Sequence, residues 1–561
     1  MHNKAILPIL CLSGLILISC AVQRAPAGGP EDKTPPGLIS TFPAIDSTNV
    51  AGLEYVEFVF EENLNRASLI NQIGFIPEIE DGYEVDWKND RRLRLKLKSP
   101  LAENQTYVVQ IGTGLKDRRG NAIPEPVILP FSTGPTIDKG RISGRVYGAE
   151  IKDAYVLAYP DADSLKDKFP LDRKSPYYTQ VNKDGHFSLG YLRPDTYWVF
   201  ALLDNDRDRR YRLGGDEVGF PVGAVVLDST HMDISGINFR LTREDTLAPR
   251  PLRARAQTKR IITLSATEDV ALGPDFRITL LDSVQNKDVP VRSVWVDPTD
   301  QALLWMAVDS LAKTRYLGTL DGLVDPAGNR QKESASLSFL GSEKSDTTRF
   351  RLQGMTPKPG GGSARSIAPL QLQFSLPVDS ASFKGAVAVV DTHGVGIPGK
   401  WGFGSLPVPI FNPATPWPSG ATVVVKLDFP NLRDVWGEAA GDSAEERRFK
   451  IWAEEELGAI SGIVKGGQHP DATAVVVAIS DRSKEQYRVS GPMEHPFQIP
   501  GLPEGAYHLE AFLDLNGDGV FNPGKTLPYQ LAEPFVVLPD TVRVRKRWTT
   551  EGKLIDFGER R

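Results

Sequence analysis

The chain has 561 residues, with 65 Lys and Arg against 71 Asp and Glu and a formal net charge of −6. That length outgrows one hydrophobic core, so roughly three to five domains are expected. The slight acid excess excludes the basic footprint of a nucleic-acid binder. Both cysteines, Cys11 and Cys20, stand near the N-terminus, which excludes disulfides, thiolate metal sites and a cysteine nucleophile from the rest of the chain. Abundant Pro and Gly, with few amphipathic helical patterns, make the expected fold class all-β.

Residues 1–19 carry Lys4 and then an apolar run from Ala5 to Ile18, the pattern of a secretory signal and too short for a comfortable membrane span. The run ends in Leu17-Ile18-Ser19-Cys20, which resembles a bacterial lipobox. The resemblance implies a lipoprotein signal peptide cut before Cys20, with diacylglycerol on the thiol and an acylated amino end. Several acyl chains anchor stably where one is marginal. Residues 20–35 are too rich in Ala, Gly and Pro to bury a core and read as a lipidated tether. Ala21, not Asp, follows the cysteine; by similarity to enterobacterial sorting rules this implies an outer membrane lipoprotein, with cell surface and periplasmic face both open.

Three later stretches share one ending, a β-rich run, a D-x-x-G turn and a second β-rich run. They contain Asp117, Gly120 and Phe131; Asp325, Gly328 and Phe339; and Asp434, Gly437 and Phe449. Such a turn needs Asp to accept backbone N–H groups and Gly to supply positive φ. Period-two runs precede these turns: Val56, Phe58 and Phe60; Leu93, Leu95 and Leu97; Leu370, Leu372 and Phe374. Each is expected to be a half-buried strand, so the cations of Arg91–Lys98 read as a solvated strand face. "TPPGLISTFPAIDSTNV", "EYVEFVFEENLN" and "YVVQIGTGLKDRRGNAI" resemble the SbsA-type bacterial Ig-like domain, and with the Cys20 lead-in they resemble Ig-domain lipoproteins of the Bacteroidota. The likeness covers 36–135 and is weaker, in degenerate form, over 246–343 and 350–452. It implies β-sandwiches that act as spacers or binding modules and brings no catalytic residues.

A second repeat lies between and after these. "ISGRVYG" at Ile142 matches "ISGIVKG" at Ile460, and the stretch from Phe187 matches that from Phe497 without a gap. Phe187 pairs with Phe497, Leu192 with Leu502, Tyr197 with Tyr507, Asp204 with Asp514 and Asp208 with Asp518. This pattern resembles the carboxypeptidase-regulatory-like, transthyretin-like β-sandwich, and implies such domains at 138–243 and 455–561 with the Tyr in the core. The expected architecture is thus a tandem array of Ig-like and transthyretin-like β-sandwiches. The "GGGS" within 346–366 lacks a following Lys and helix, so it is a linker and no phosphate loop.

Candidate chemistry is sparse. Asp204, Asp206 and Asp208, and Asp514, Asn516 and Asp518, place oxygens at positions 1, 3 and 5 of a loop, as a calcium site begins. Position 12, a bidentate Glu in an EF-type loop, is Gly215 in one and Lys525 in the other, and Arg207, Arg209 and Arg210 crowd the first. Two readings stand: a Ca2+ site, stronger in the second loop, or an Asx-rich connection whose carboxylates bind backbone N–H groups. No H-x-x-x-H, H-E-x-x-H or G-x-S-x-G pattern occurs, so no enzyme is expected. Trp401, Trp417 and Trp436 could form a loop-borne platform for sugars or a protein partner, or simply fill a core. The expectation is a non-catalytic envelope lipoprotein, a spacer and adhesive module joined to the membrane through Cys20. A glycan-binding accessory protein is the alternative, and an enzyme with a non-local carboxylate pair a remote one.

Overall fold

A computed structural model describes residues 32–79, 81–160, 170–361, 363–403, 407–467 and 469–558. The expected signal, Cys20 and most of the expected tether lie outside the described residues. The class is all-β, as expected. The chain divides after Ile137 into two compact units.

The first unit is a sandwich. One sheet runs Leu38–Phe42, Tyr55–Phe60, Arg92–Leu97, Tyr83–Asn89, and the other Ile73–Ile76, Thr106–Ile111, Val127–Ser132. Alternation decides the faces: Val56, Phe58, Phe60, Leu93 and Leu95 turn inward and meet Val109, Ile111 and Phe131. Each such side chain contributes about 1.5–3 kcal/mol on burial. On the outer face Arg92 and Arg94 both pair with Glu57 of the adjacent strand, and Lys96 reaches Asp86 at 3.3 Å. The cationic run is a set of cross-strand ion pairs.

The second unit holds eight larger sheets in four stretches, together with a two-stranded ribbon, among the described residues. The two sandwiches that carry the I-S-G repeat share one topology. In each, the last strand runs parallel to the first: Asp233–Arg240 beside Gly140–Tyr147, and Thr549–Asp556 beside Leu457–Lys465. The register shifts in both pairings, and there the parallel neighbour's backbone crowds the glycine of the I-S-G motif. A Cβ on Gly144 would lie 1.8 Å from the Ile237 carbonyl oxygen, and one on Gly462 1.9 Å from that of Lys553. Only glycine fits.

The repeated Tyr is buried in each copy. The Tyr197 hydroxyl donates to the Arg193 carbonyl at 3.1 Å and that of Tyr507 to the Pro503 carbonyl at 2.8 Å. Their rings lie edge-on to Tyr177 and Tyr487. Burial raises both phenols, Tyr507 to about 12.

Modules in series along the chain are not in series in space within this unit. Ala532 of the fifth sandwich sits among Leu157, Tyr159, Phe200 and Phe220 of the second. Tyr147 of the second packs against Val475, Val477, Phe512 and Phe535 of the fifth. Polar contacts frame this seam. Arg240 meets Glu510 at 2.7 Å, and Glu244 accepts from the Thr526 N–H at 2.6 Å. The third and fourth sandwiches also share a core, with Ile261, Trp295 and Ala307 joining Phe374, Phe383 and Trp417. No helix among the described residues is long and apolar enough to cross a membrane.

Candidate functional sites

The two acidic loops follow the strands Asp195–Leu203 and Gly505–Asp514. Asp204 is buried. Its Oδ1 accepts the N–H groups of Asp206 at 3.2 Å and Arg207 at 2.7 Å, and its Oδ2 accepts that of Arg209 at 2.5 Å. Asp514 repeats this with Gly517 at 2.7 Å and Gly519 at 2.8 Å. Asn516 Oδ1 accepts from Asp518 N–H at 3.0 Å, and Asp518 Oδ1 from Val520 N–H at 2.7 Å.

A second buried acid closes each loop: Asp216, which the sequence shows just past position 12 of the first, and Glu533, which sequence reasoning missed. Asp216 accepts from Asn205 at 3.1 Å and Arg212 at 2.8 Å; Glu533 accepts from Leu515 at 2.7 Å and Asn522 at 2.9 Å. Asp216 stands 216 − 204 = 12 residues after Asp204, but Glu533 stands 533 − 514 = 19 after Asp514, so no common spacing announces the pair. Burial lifts the Asp204 carboxyl above its ordinary range, against the N–H donors and with help from Asp206. Burial also lifts Glu533, with Asp514 and Asp518 adding repulsion.

Asp204, Asp206 and Asp208 each bring an oxygen within 4.8 Å of the others, the arrangement a cation would use. Arg212 lies over it, paired with Asp206 and, at 3.1 Å, with Asp208. The feature common to both loops is therefore the buried carboxylate that gathers backbone N–H groups.

The D-x-x-G turns form a second recurrent site. Asp117 Oδ1 accepts from Arg119 N–H at 2.8 Å and Asn121 N–H at 2.9 Å, and its Oδ2 takes the Asn121 amide at 2.8 Å. That amide also donates to the Asp32 carbonyl at 3.0 Å, tying the lead-in segment to the turn. Asn329 does the same for Asp325 and the Asp245 carbonyl. In the third copy Glu438 replaces the Asn. Asp434 Oδ1 still accepts from Trp436 and Glu438 N–H groups, but its Oδ2 has no hydrogen-bond partner among the described residues, at 1 % exposure. Gly120, Gly328 and Gly437 have φ of 98°, 89° and 90°, as the motif requires.

Electrostatics follow the donors. Burial opposes a charged Asp117, yet the Asn121, Arg119 and Gly120 donors outweigh it and hold the carboxyl below its ordinary range. Burial of Asp434 wins instead and raises it. The lead-in and turn acids also converge with a glutamate, as Asp32, Glu62 and Asp117 in the first sandwich and Asp245, Glu268 and Asp325 in the third. Burial and the nearby Asp245 and Asp325 raise Glu268. In the fourth sandwich Leu376 stands two residues before Val378, as Glu62 stands before Leu64, so the triad is broken.

The tryptophans take the second of the two readings open to them, the core. Trp417 is 2 % exposed, donates its indole N–H to the Ala368 carbonyl at 2.7 Å and packs on Phe411 and Phe449. Trp401 lies against Phe383 and Phe411. Trp436 donates to the Val308 carbonyl of the third sandwich at 3.0 Å, beneath Arg260. Their faces serve the core and the joint between sandwiches rather than a loop platform, because a ring of this size stabilises most where it is packed.

No curated protein matches the chain. Among solved structures, the N-terminal part of the bacterial S-layer protein SbsC is 14% identical with TM-score 0.16, covering 36% of this chain and 44% of that one. The chain thus spans less than half of that structure. The Bacillus anthracis TIE protein is 9% identical with TM-score 0.14, covering 95% and 76%. A BcpA major pilin subunit of Bacillus cereus is 8% identical with TM-score 0.14, covering 75% and 99%. At these values the likenesses carry no argument about function. Residues 32–133, the first sandwich, match the family model of the bacterial Ig-like domain.

Proposed function

We propose that the protein is a non-catalytic envelope lipoprotein, held in the outer membrane through Cys20, whose β-sandwiches present a binding surface. The observation that supports this reading most is the use made of its acids. The buried carboxylates at recurrent positions, Asp117, Asp204, Asp325 and Asp514, accept backbone N–H groups and fix turns. They do the work of folding rather than of proton transfer. The anchor rests on the lipobox-like Leu17–Cys20.

The test is metabolic labelling of cells with a palmitate analogue, beside a Cys20→Ala variant. Label on the wild type that the variant lacks, with the variant lost from the membrane fraction, supports the reading. An unlabelled wild type, or a variant still in the membrane, refutes the anchor. Protease shaving of intact cells then separates the cell-surface from the periplasmic location.

A further inference from the structure

A groove of about 530 Å³ lies where the fourth and fifth sandwiches meet, and Arg365, Ile367, Trp452, Tyr487, Gln498 and Trp548 line it. Trp548 is 70 % exposed. The strand Val542–Val544 turns both valines into the core and Arg543 outward. The chain then reverses, with Trp548 N–H on the Arg545 carbonyl at 3.3 Å. Arg547 sits at the tip with φ of 61°, pinned by its N–H to the Leu457 carbonyl at 2.7 Å and by its Nε to the Glu455 carbonyl at 3.2 Å. The indole is therefore held in water by its backbone, on the rim of a concavity.

Charge favours an anion. Arg543, Arg545, Lys546 and Arg547 are all exposed, a concentration of cations in a chain of net charge −6. Arg365, on the opposite wall, lies 4.2 Å over the Tyr487 ring and donates to the Gln486 carbonyl at 3.2 Å, so its guanidinium is pre-positioned. Glu454 is the one acid among the lining residues.

The wall disfavours a peptide. Its strand Pro496–Pro503 is the edge of its sheet, which a peptide would extend, but Pro496, Pro500 and Pro503 withhold N–H groups. What the groove offers is a flat indole for the C–H face of a pyranose, an amide at Gln498 for hydroxyls, and guanidinium forks for carboxylates. We infer that this groove binds a strand of acidic, uronate-bearing polysaccharide, with Trp548 as stacking platform and Arg365 and Arg547 as its anion contacts. This deepens the binding-surface reading of the function and rests on it, but its test needs no membrane and leaves the anchor at Cys20 untouched.

The test is affinity electrophoresis of the detergent-solubilised full-length protein through gels containing polygalacturonate, alginate, heparin or chondroitin sulfate. Dextran, poly-glutamate and phosphatidylglycerol vesicles serve as controls. Retardation by at least one uronate polymer and not by the controls is expected. Trp548→Ala should weaken it at least tenfold, Trp548→Phe should retain part of it, and Arg543→Ala should change it less than threefold. Retardation by none of the four polymers overturns the inference. So does equal loss in Trp548→Ala and Arg543→Ala, which is charge alone, or stronger binding to poly-glutamate or vesicles. Trp548 is solvent-exposed, so an unchanged unfolding temperature separates lost binding from lost folding.

Discussion

Arg240→Ala tests whether the second and fifth sandwiches act as one thermodynamic body. Arg240 makes a 2.7 Å ion pair with Glu510 across the seam, and both side chains are about one-third exposed. Its guanidinium also lies 5.0 Å from the Phe521 ring and 4.9 Å from Phe535. Truncation removes a hydrogen bond between charged groups, about 1.5–3 kcal/mol, and cation–π contact of about 0.5–1 kcal/mol at this exposure. The expected loss is about 2–4 kcal/mol, roughly 30- to 1,000-fold in the opening equilibrium. Hydrogen exchange read by mass spectrometry should show this in both Asp195–Leu203 and Gly505–Asp514, although the substitution lies in one sandwich. Arg243→Ala is the control, because its partner Glu217 lies in its own sandwich at 3.5 Å, and it should cost no more than about 1 kcal/mol. Faster exchange confined to the second sandwich, or none in either, would refute the coupling.

Glu438→Asn should restore the amide that Asp434 lacks. The gain of a bond to a carboxylate, about 1.5–3 kcal/mol, exceeds the exposed pair lost with Arg260, about 0–1 kcal/mol. The Asp434 carboxyl is raised in the folded state, so wild-type stability falls as pH rises through that folded pKa. The variant's advantage should therefore be full at neutral pH and vanish in acid; urea unfolding at both pH values measures it, and no gain at neutral pH sinks the account. Asp514→Ala should cost about 2–3 kcal/mol through the orphaned Gly517 and Gly519 N–H groups. Calcium should leave the unfolding temperature of the full chain unchanged, and a calcium-dependent rise that Asp514→Ala abolishes would establish a metal site instead. Tyr197→Phe and Tyr507→Phe should each lose about 1 kcal/mol of stability, and denaturation of the two variants should give equal shifts because the two hydroxyls serve the same carbonyl position.

What the sequence displays are constraints that act locally. Alternation assigned Val56, Phe58 and Phe60 to one face because a strand has no other way to bury them. The D-x-x-G turn was equally legible, since carboxylate acceptor and positive φ both operate within five residues. Distant partners leave no such mark. The reason for Gly144 is a carbonyl more than ninety residues away (237 − 144 = 93) on a parallel strand, and the closing acids Asp216 and Glu533 stand at unequal spacings. The tryptophans stood between a loop platform and a core for the same reason. Composition around Trp401 and Trp417 reads as loop; the strand pairing of Gly399–Gly402 with Ile410–Pro413 carries Trp401 inward, and hydrogen bonds to the Ser366 and Ala368 carbonyls hold Trp417.

The seam between the second and fifth sandwiches did leave a trace, in the failure of alternation. A sheet with one wet face alternates, whereas a strand buried on both faces reads as a continuous apolar run. Thr473–Ser480 is such a run, "TAVVVAIS". Ala474, Val476 and Ala478 enter the fifth core, and Val475 and Val477 turn the other way toward Tyr147 of the second sandwich. Tyr155–Pro160 and Asp195–Leu203 of the second sandwich break alternation in the same manner, and Leu157, Tyr159, Phe200 and Leu202 from their other face surround Ala532. Each copy therefore carries a second apolar face, and the other copy supplies part of its cover. The repeated pattern gives the two sandwiches the same spare face, and mutual burial joins them although two other sandwiches stand between them along the chain.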